Sequence, residues 1–440
     1  MPALNLYSSV LNKVRRAHLT VKGAFARSFK WLRQNPRWLY AALLIAAGIW
    51  VGDLLEEKQA FLDLRYRAYQ ITQDAAGSLK GELYDHNTIL VLIGDDEYWK
   101  GPYEGRRPIN RESLGQLVAA LDKYDPKVIA LDFDFSSPAP DGSIVEFPKY
   151  VEETKKLADT IKDVSSRRSV VLPRTLGFDG LWIEESDVYD KYDLGQARFG
   201  YIALYNDYRL VPKSVPLKSG DRLDSFAEAI VRCFDLTGNG VKCDRHDETL
   251  TYAGAYLYEE QFTKYFANQI MSPDSATQRD LVEKLPGKIV IIGGAWSRYA
   301  FNRGSRIDER YTPVGFMQVY GRHANWVESM LESRTARPLW YLPRWTLEFL
   351  LGFVAYYLFT SKLWWVWKLL YVPLLALSWL GVAYISAQNF GVFFDPFIVT
   401  LVSFAKAAYE QISEWYKDAR RYNKLVAKKS QPVQEAVHAE

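Results

Sequence analysis

The stretch TILVLIGDDE, Thr88–Glu97, decides the fold. It begins with an uncharged run of β-branched residues and leucine, and a glycine and three acids follow that run. An uninterrupted run of this kind is typical of a strand buried on both faces, as strands are in a parallel sheet.

Further runs of the same kind lie along the chain, and helical patterns separate them. These runs are Lys127–Phe135 (KVIALDFDF), Ser169–Pro173 (SVVLP) and Lys288–Gly294 (KIVIIGG). Apolar residues at helical spacing occupy the segments Ser113–Lys123, Val151–Val164 and Asp224–Leu236. Alternation of strands with helices predicts an α/β domain with a mostly parallel sheet and helices on both faces.

Acids and glycines follow the predicted strands. In open parallel sheets, ligands bind outside the carboxyl ends of the strands. The ends predicted here carry Asp95, Asp96, Asp132, Asp134, Gly293 and Gly294. They predict a pocket for a cation or a polar ligand. The alternative is that the acids cap helices or bind backbone amides in the turns. The glycine pair lacks both the Lys-Ser/Thr of a P-loop and the GxGxxG spacing.

Composition excludes several other functions. Two Cys and five His are too few for a four-cysteine zinc site or a His-rich centre, so we predict no metal and no cofactor. A net charge of +3 over 440 residues does not fit a dedicated nucleic-acid binder. His323 has no paired His and no nucleophile motif near it, so we expect a structural role there and no catalytic residue.

Four apolar segments predict transmembrane helices. The first is predicted over 38–58: it contains the uncharged run Trp38–Gly52 (WLYAALLIAAGIWVG), which Leu54 and Leu55 can extend, and it follows a basic, acid-free segment. A signal peptide is the alternative for this segment, since it also has a basic start and a short apolar core. The other predicted spans are 345–361, 366–387 and 393–412.

The distribution of basic residues predicts the topology. Lys and Arg without any acid in 1–37 place that segment in the cytoplasm by the positive-inside rule. Four spans then return the tail, 413–440, to the cytoplasm and leave a large domain, 59–343, on the other side. In an oxidising compartment, Cys233 and Cys243, which flank a turn signal in that domain, are expected to form a disulfide.

Taken in order, these motifs resemble the CHASE type 2 domain, an extracytoplasmic sensory module of bacterial receptors. The resemblance covers about 60–410, including the one-then-three arrangement of predicted spans. It rests on Phe61–Arg65 (FLDLR), Val91–Glu97 (VLIGDDE), Pro108–Arg111 (PINR), Val128–Phe135 (VIALDFDF), Gly200–Asp207 (GYIALYND) with Arg209, Ser225–Ala227 (SFA), Lys288–Gly293 (KIVIIG), Thr312–Pro313, Gly321–Asn325 (GRHAN) and Phe394–Pro396 (FDP).

The resemblance implies a function and adds Arg111 to the candidate ligand-binding residues. It implies a sensory protein of the bacterial inner membrane whose periplasmic domain detects an envelope signal, such as a small molecule. Family members typically continue into a cyclase, kinase or diguanylate cyclase module, whereas about 30 residues follow the last predicted span here. We therefore expect a separate protein partner to carry the output, in a homodimer or a hetero-complex.

Two other classes of function remain open at this point. An envelope scaffold or subunit of a membrane complex would use the external domain for docking, and exposed tyrosines in 245–285 would suit that role: Tyr252, Tyr256, Tyr258 and Tyr265. In an enzyme, the strand-end acids could hold a divalent cation for hydrolysis. No nucleophile or base motif accompanies those acids, so we expect no enzymatic activity.

Overall fold

The structure of the chain is a computed structural model, in which two compact units can be described. One unit comprises residues 63–338 and 380–394, and the other comprises 1–62, 339–379 and 395–440. The described residues are 36–56, 86–106, 108–133, 135, 147–179, 181–184, 188–202, 210–235, 250–252, 261–301, 309–312, 315–331, 337–338, 341–360, 381–382, 385, 392–393, 405, 409, 412–413 and 415–425.

The described strands and helices are numbered separately in chain order. The strands are β1 (Thr88–Ile93), β2 (Val128–Asp132), β3 (Ser169–Arg174), β4 (Leu176–Phe178), β5 (Trp182–Glu184), β6 (Arg198–Tyr201), β7 (Leu210–Pro212), β8 (Ser214–Pro216), β9 (Arg222–Asp224), β10 (Leu250–Tyr252), β11 (Thr263–Phe266), β12 (Ile289–Gly294), β13 (Glu309–Thr312), β14 (Gly315–Gln318), β15 (Arg337–Pro338) and β16 (Val392–Phe393). The helices are α1 (Pro36–Glu56), α2 (Arg111–Asp122), α3 (Phe147–Ser165), α4 (Phe226–Asp235), α5 (Ala267–Met271), α6 (Ser275–Lys284), α7 (Val319–Leu331) and α8 (Tyr341–Thr360).

A six-stranded sheet in the order β11-β1-β12-β2-β3-β6 organises the larger unit. Each neighbouring pair in this sheet is parallel, which confirms the predicted α/β fold. The four predicted strands β1, β2, β3 and β12 lie next to one another at its centre. The smaller two-stranded sheets include the antiparallel pair β13–β14, which precedes α7.

Helices cover both faces of the sheet. The side chains of each strand point alternately to the two faces, so each face carries its own apolar core. In β1, Ile89, Val91 and Ile93 contact one core, and Leu90 and Leu92 contact the other. Helices α2, α3, α5 and α6 contribute to the first core, whereas α4 and α7 contribute to the second. The prediction of helices on both faces is therefore confirmed.

Helix α2 begins where its sequence provides a cap. Asn110 has extended backbone geometry, and its side-chain oxygen accepts a hydrogen bond from the N–H of Ser113 at 3.1 Å. This bond satisfies one of the amide donors that the first turn of a helix leaves unpaired. The cap therefore fixes the start of α2, and with it the position of Arg111, the first residue of the helix.

In the smaller unit, α1 packs against α8 through Ile45 and Ile49 with Phe349 and Phe353. These helices overlap the predicted spans 38–58 and 345–361, whereas 366–387 and 393–412 fall almost wholly outside the described residues. Among the helices that can be described, none is both long and apolar enough to cross a membrane. The predicted transmembrane helices are therefore not confirmed.

The predicted disulfide is not confirmed either. Cys233 is a buried free thiol on α4, and its predicted partner Cys243 lies outside the described residues. Helix α4 packs its apolar side on the sheet and carries Cys233 into the second core. Burial is also the main cause that raises the pKa of this thiol.

Candidate functional site

The carboxyl edge of the central strands is the candidate site. β1 and β12 are neighbours, and the chain leaves β1 towards α2 on the first core but leaves β12 towards α7 on the second. Adjacent strands whose connections diverge in this way form a topological switch point, where open α/β sheets bind ligands. The sequence-based choice of edge therefore coincides with the switch point of this sheet.

Three hydrogen bonds tie the diverging loops together. Asp95, after β1, accepts from the backbone N–H of Ser297 at 2.7 Å and from its hydroxyl at 2.9 Å. Trp99 donates its indole N–H to the carbonyl of the same serine at 3.3 Å. Ser297 is buried, although it lies in the loop that follows β12. The carboxylate of Asp95 thus binds a backbone amide in a turn, as the structural alternative predicted.

An aromatic stack fills the space beside these bonds. The indole ring of Trp296 lies parallel to the ring of Tyr98, with 4.1 Å between centroids, and to that of Phe133, with 6.3 Å. Tyr98 donates its hydroxyl proton to the carbonyl of Arg106 at 2.8 Å. The stack belongs to the first core and so joins the edge of the sheet to the packing beneath it.

The glycine pair permits close packing with aromatic rings. A Cβ added at Gly293 would lie 2.5 Å from the Cβ of Tyr320 on α7. A Cβ added at Gly294 would overlap the indole ring of Trp296. Side chains at these positions would displace either α7 or the aromatic stack. The geometry accounts for both glycines by packing and assigns no phosphate contact to them.

The other acids at the strand ends do not share a common site, because those that the structure describes have different surroundings. Asp96 is exposed and forms an i,i+4 ion pair with Lys100 at 3.4 Å. Asp132 is close to His323, with 3.7 Å between its Oδ1 and Nε2. Asp134 lies outside the described residues. Among the residues that the structure describes, no group of three His, Cys, Asp or Glu side chains is arranged to hold a metal ion.

Arg111 lies between helices rather than in the open part of this edge. It is fully buried, and its Nη1 donates to the hydroxyl of Thr154 on α3 at 2.9 Å. Its guanidinium also lies over the ring of Tyr150, 4.4 Å from the centroid. Stacking and hydrogen bonding of this kind are suited to joining α2 to α3.

Sequence reasoning named His323 but missed the other buried polar side chains on β14 and α7. Together they form a cluster of Gln318, Arg322, His323, Asn325 and Glu328, all nearly inaccessible to solvent. Asn325 donates to the carbonyl of Gly321 at 2.9 Å, which ties it to its own helix. Burial raises the pKa of Glu328. The GRHAN segment was the sequence signal for this cluster, although no helical pattern was assigned to it.

His323 is neutral in this environment. Burial first, and the neighbouring charge of Arg322 second, lower its pKa to about 3. Its distance to Asp132 exceeds that of a hydrogen bond, so the desolvation cost outweighs the attraction of a carboxylate. Its ring also packs in a T-shaped arrangement with that of Phe226 on α4, with 5.0 Å between centroids. These contacts fit the structural role that the sequence predicted.

The larger unit of the structure is an α/β domain. At its topological switch point, where related folds bind ligands, the side chain of Asp95 joins the two loops by hydrogen bonds to Ser297. A family model described as CHASE2 domain matches residues 40–382. The chain therefore belongs to the CHASE2 family, a family of extracytoplasmic sensory domains. No curated protein and no solved structure matches the chain.

Proposed function

We propose that this chain is a membrane-anchored sensory protein of the bacterial inner membrane. Its periplasmic α/β domain detects an envelope signal at the edge formed by β1 and β12, and a separate protein partner carries the output. The observation that carries this proposal is the bridge between Asp95 and Ser297, which joins the two loops that diverge at the switch point.

The bridge gives the edge two alternative arrangements. In the described one, a carboxylate and a hydroxyl satisfy each other across the switch point. A polar signal molecule that binds the carboxylate or the serine amide would replace these bonds and release one loop from the other. Because the loop after β1 leads to α2 and the loop after β12 leads towards α7, such a release acts on both faces of the sheet.

Exposed apolar side chains support anchoring in the membrane. On α1 they include Leu43 and Trp50, and on α8 they include Leu350, Val354 and Tyr357. Apolar exposure at this density is unusual in a soluble monomer and is typical of contact with lipid or protein. Tryptophan and tyrosine among these residues are also the side chains that collect at membrane interfaces.

The scaffold hypothesis loses part of its support. Tyr265 was one of the tyrosines expected at a protein interface, but it is buried and donates its hydroxyl proton to Asp280 on α6. The other three tyrosines have side chains outside the described residues. Tyr265 is therefore explained by packing inside the domain and not by contact with a protein partner.

Crosslinking in intact cells tests the proposal. A C-terminally tagged full-length chain is compared with a tagged chain that ends at residue 408, and both are repeated with Asp95→Asn and with Asp96→Asn as the matched control. Sensing predicts a cytoplasmic regulatory protein captured only by the full-length chain, with capture changed by Asp95→Asn and not by Asp96→Asn. Capture of the same envelope proteins in every arm would support the scaffold function instead.

A further inference from the structure

Residues 415–425 form a helix, and residues 412 and 413 just before it are helical as well. All of its side chains are exposed, and Trp415 retains 75 % of its accessible surface. A helix that exposes Trp415, Tyr416 and Tyr422 is suited to contact with a surface that covers these side chains.

The residues of this helix divide into two faces. Trp415, Ala419 and Tyr422, with Ile412 just before them, recur at the three- and four-residue spacing of one helix face, which we call the aromatic face. The opposite face carries the basic residues Lys417, Arg420, Arg421 and Lys424. Asp418 is the acid in 415–425, so four cations and one acid give these residues a net charge of +3, and Glu414 lowers it to +2 over 412–425.

This composition matches an anionic lipid surface. Tryptophan and tyrosine prefer the boundary between acyl chains and headgroups, and a basic polar face is attracted to anionic headgroups. Each Lys or Arg near such a surface adds to that attraction. An amphipathic helix with both features lies in the plane of the interface.

A second copy of the chain is a poorer match. If the aromatic face formed the seam of a parallel coiled coil, the positions beside the seam would hold Tyr416, Asp418, Asn423 and Leu425. These residues offer no pair of opposite charges to align two helices, and the seam itself lacks the regular aliphatic residues of stable zippers. Charge complementarity therefore favours the bilayer over a second helix.

We propose that the helix 415–425 lies along the surface of an anionic bilayer, with its aromatic face in the headgroup boundary and its basic face towards the phosphates. The inference goes beyond the proposed sensory function, because this contact forms whatever the external domain detects. It assigns to the segment a lipid surface made of phosphatidylglycerol or a similar anionic phospholipid.

Spin labelling of the full chain tests the proposal. Labels are attached at Ala419→Cys on the aromatic face and at Lys417→Cys opposite it, in a chain that carries Cys233→Ser and Cys243→Ser. The protein is reconstituted in vesicles of phosphatidylcholine with phosphatidylglycerol, and in vesicles of phosphatidylcholine alone. Accessibility of each label to oxygen and to a water-soluble nickel chelate reports whether it lies in lipid or in water.

We expect the label at residue 419 to be oxygen-accessible and protected from nickel in anionic vesicles, and the label at residue 417 to show the reverse. Replacing Arg420, Arg421 and Lys424 by Gln should shift the helix towards water, roughly fivefold in population for each cation. Omitting phosphatidylglycerol tests the same attraction without any substitution, so a folding defect in the triple variant does not obscure the result.

Two results would overturn the proposal. A label at residue 419 that shows dipolar coupling between copies, with no dependence on lipid charge, would assign the aromatic face to a second copy of the chain. A label at residue 419 that stays accessible to nickel in both kinds of vesicle would leave the helix in water. Neither result bears on the sensory function, which the Asp95→Asn comparison tests separately.

Discussion

Asp95, after β1, accepts two hydrogen bonds from Ser297, which follows β12 and lies 202 residues further along the chain. The pair joins two strands that are neighbours in the sheet but send the chain to opposite faces. A ligand that enters this edge must bind above the pair or replace its hydrogen bonds. The stability of the pair is therefore linked to any response of the domain.

Replacing Asp95 by Asn should loosen this edge. The amide oxygen can still accept one of the two bonds, but the charge-assisted contribution is lost. A hydrogen bond to a charged group contributes about 1.5–3 kcal/mol when buried, and because Asp95 is half-buried we expect a loss of about 1–2 kcal/mol in the free energy of unfolding. Urea unfolding measures the loss, and hydrogen exchange should speed up in 295–301.

The control for this experiment is Asp96→Asn. Asp96 lies in the same turn, but its ion pair with Lys100 is exposed and should contribute less than about 1 kcal/mol. Equal losses for the two variants would show that the Asp95–Ser297 bridge adds nothing specific to the stability of the edge.

Substituting Gly294 tests the packing role of the glycine pair. Gly294→Ala places a methyl group against the indole of Trp296, and overpacking of this kind costs about 1–3 kcal/mol. In a Trp296→Leu background the smaller side chain gives way, so the same substitution should cost less. Unfolding measurements on the two single variants and the double variant give the coupling. Additive losses would contradict the packing explanation.

The central sheet was predictable from sequence because its strands are continuous apolar runs. β1, β2, β3 and β12 are of this type, whereas the edge strands β6 and β11 were missed. β11 has the sequence TKYF, with two exposed residues and a partly buried Lys264, so it lacks that signal. An edge strand needs no burial on both faces, and its place in the sheet depends on pairing with β1.

The candidate site was predictable only in part. Asp95 follows an obvious strand, so its place at the carboxyl edge could be inferred. Its partner Ser297 belongs to no motif, because a contact between two distant loops depends on the complete topology. The burial of Arg111 and Cys233 was not predictable for a related reason: in each case a helix face directs the side chain into the interior, and that direction is set by packing.

The thiol of Cys233 should resist alkylation in the native protein. It lies in the second core, and burial raises its pKa, so little thiolate is present and access is restricted. We expect slow reaction with iodoacetamide in buffer and rapid reaction in urea without any reductant, followed by mass spectrometry of the peptide that contains Cys233. Reaction in urea only after reduction would instead show a disulfide.

Lowering the pH should destabilise the domain through His323. The pKa of His323 is about 3 in the folded protein and close to 6.5 in the unfolded chain, so between these values the unfolded state binds more protons. The stabilising effect of keeping this histidine neutral is complete above about pH 6.5 and is lost progressively as the pH falls towards 3.

A His323→Gln variant isolates this contribution. The raised pKa of Glu328 acts in the opposite direction, but that residue is present in both proteins and cancels in the comparison. The free energy of unfolding of the unsubstituted protein, relative to the variant, should fall by about 1.4 kcal/mol for each pH unit below 6.5. If Asp132 instead held His323 as a cation, the folded pKa would be raised and this difference would grow on acidification, so the sign of the slope decides between a neutral histidine and an ion pair.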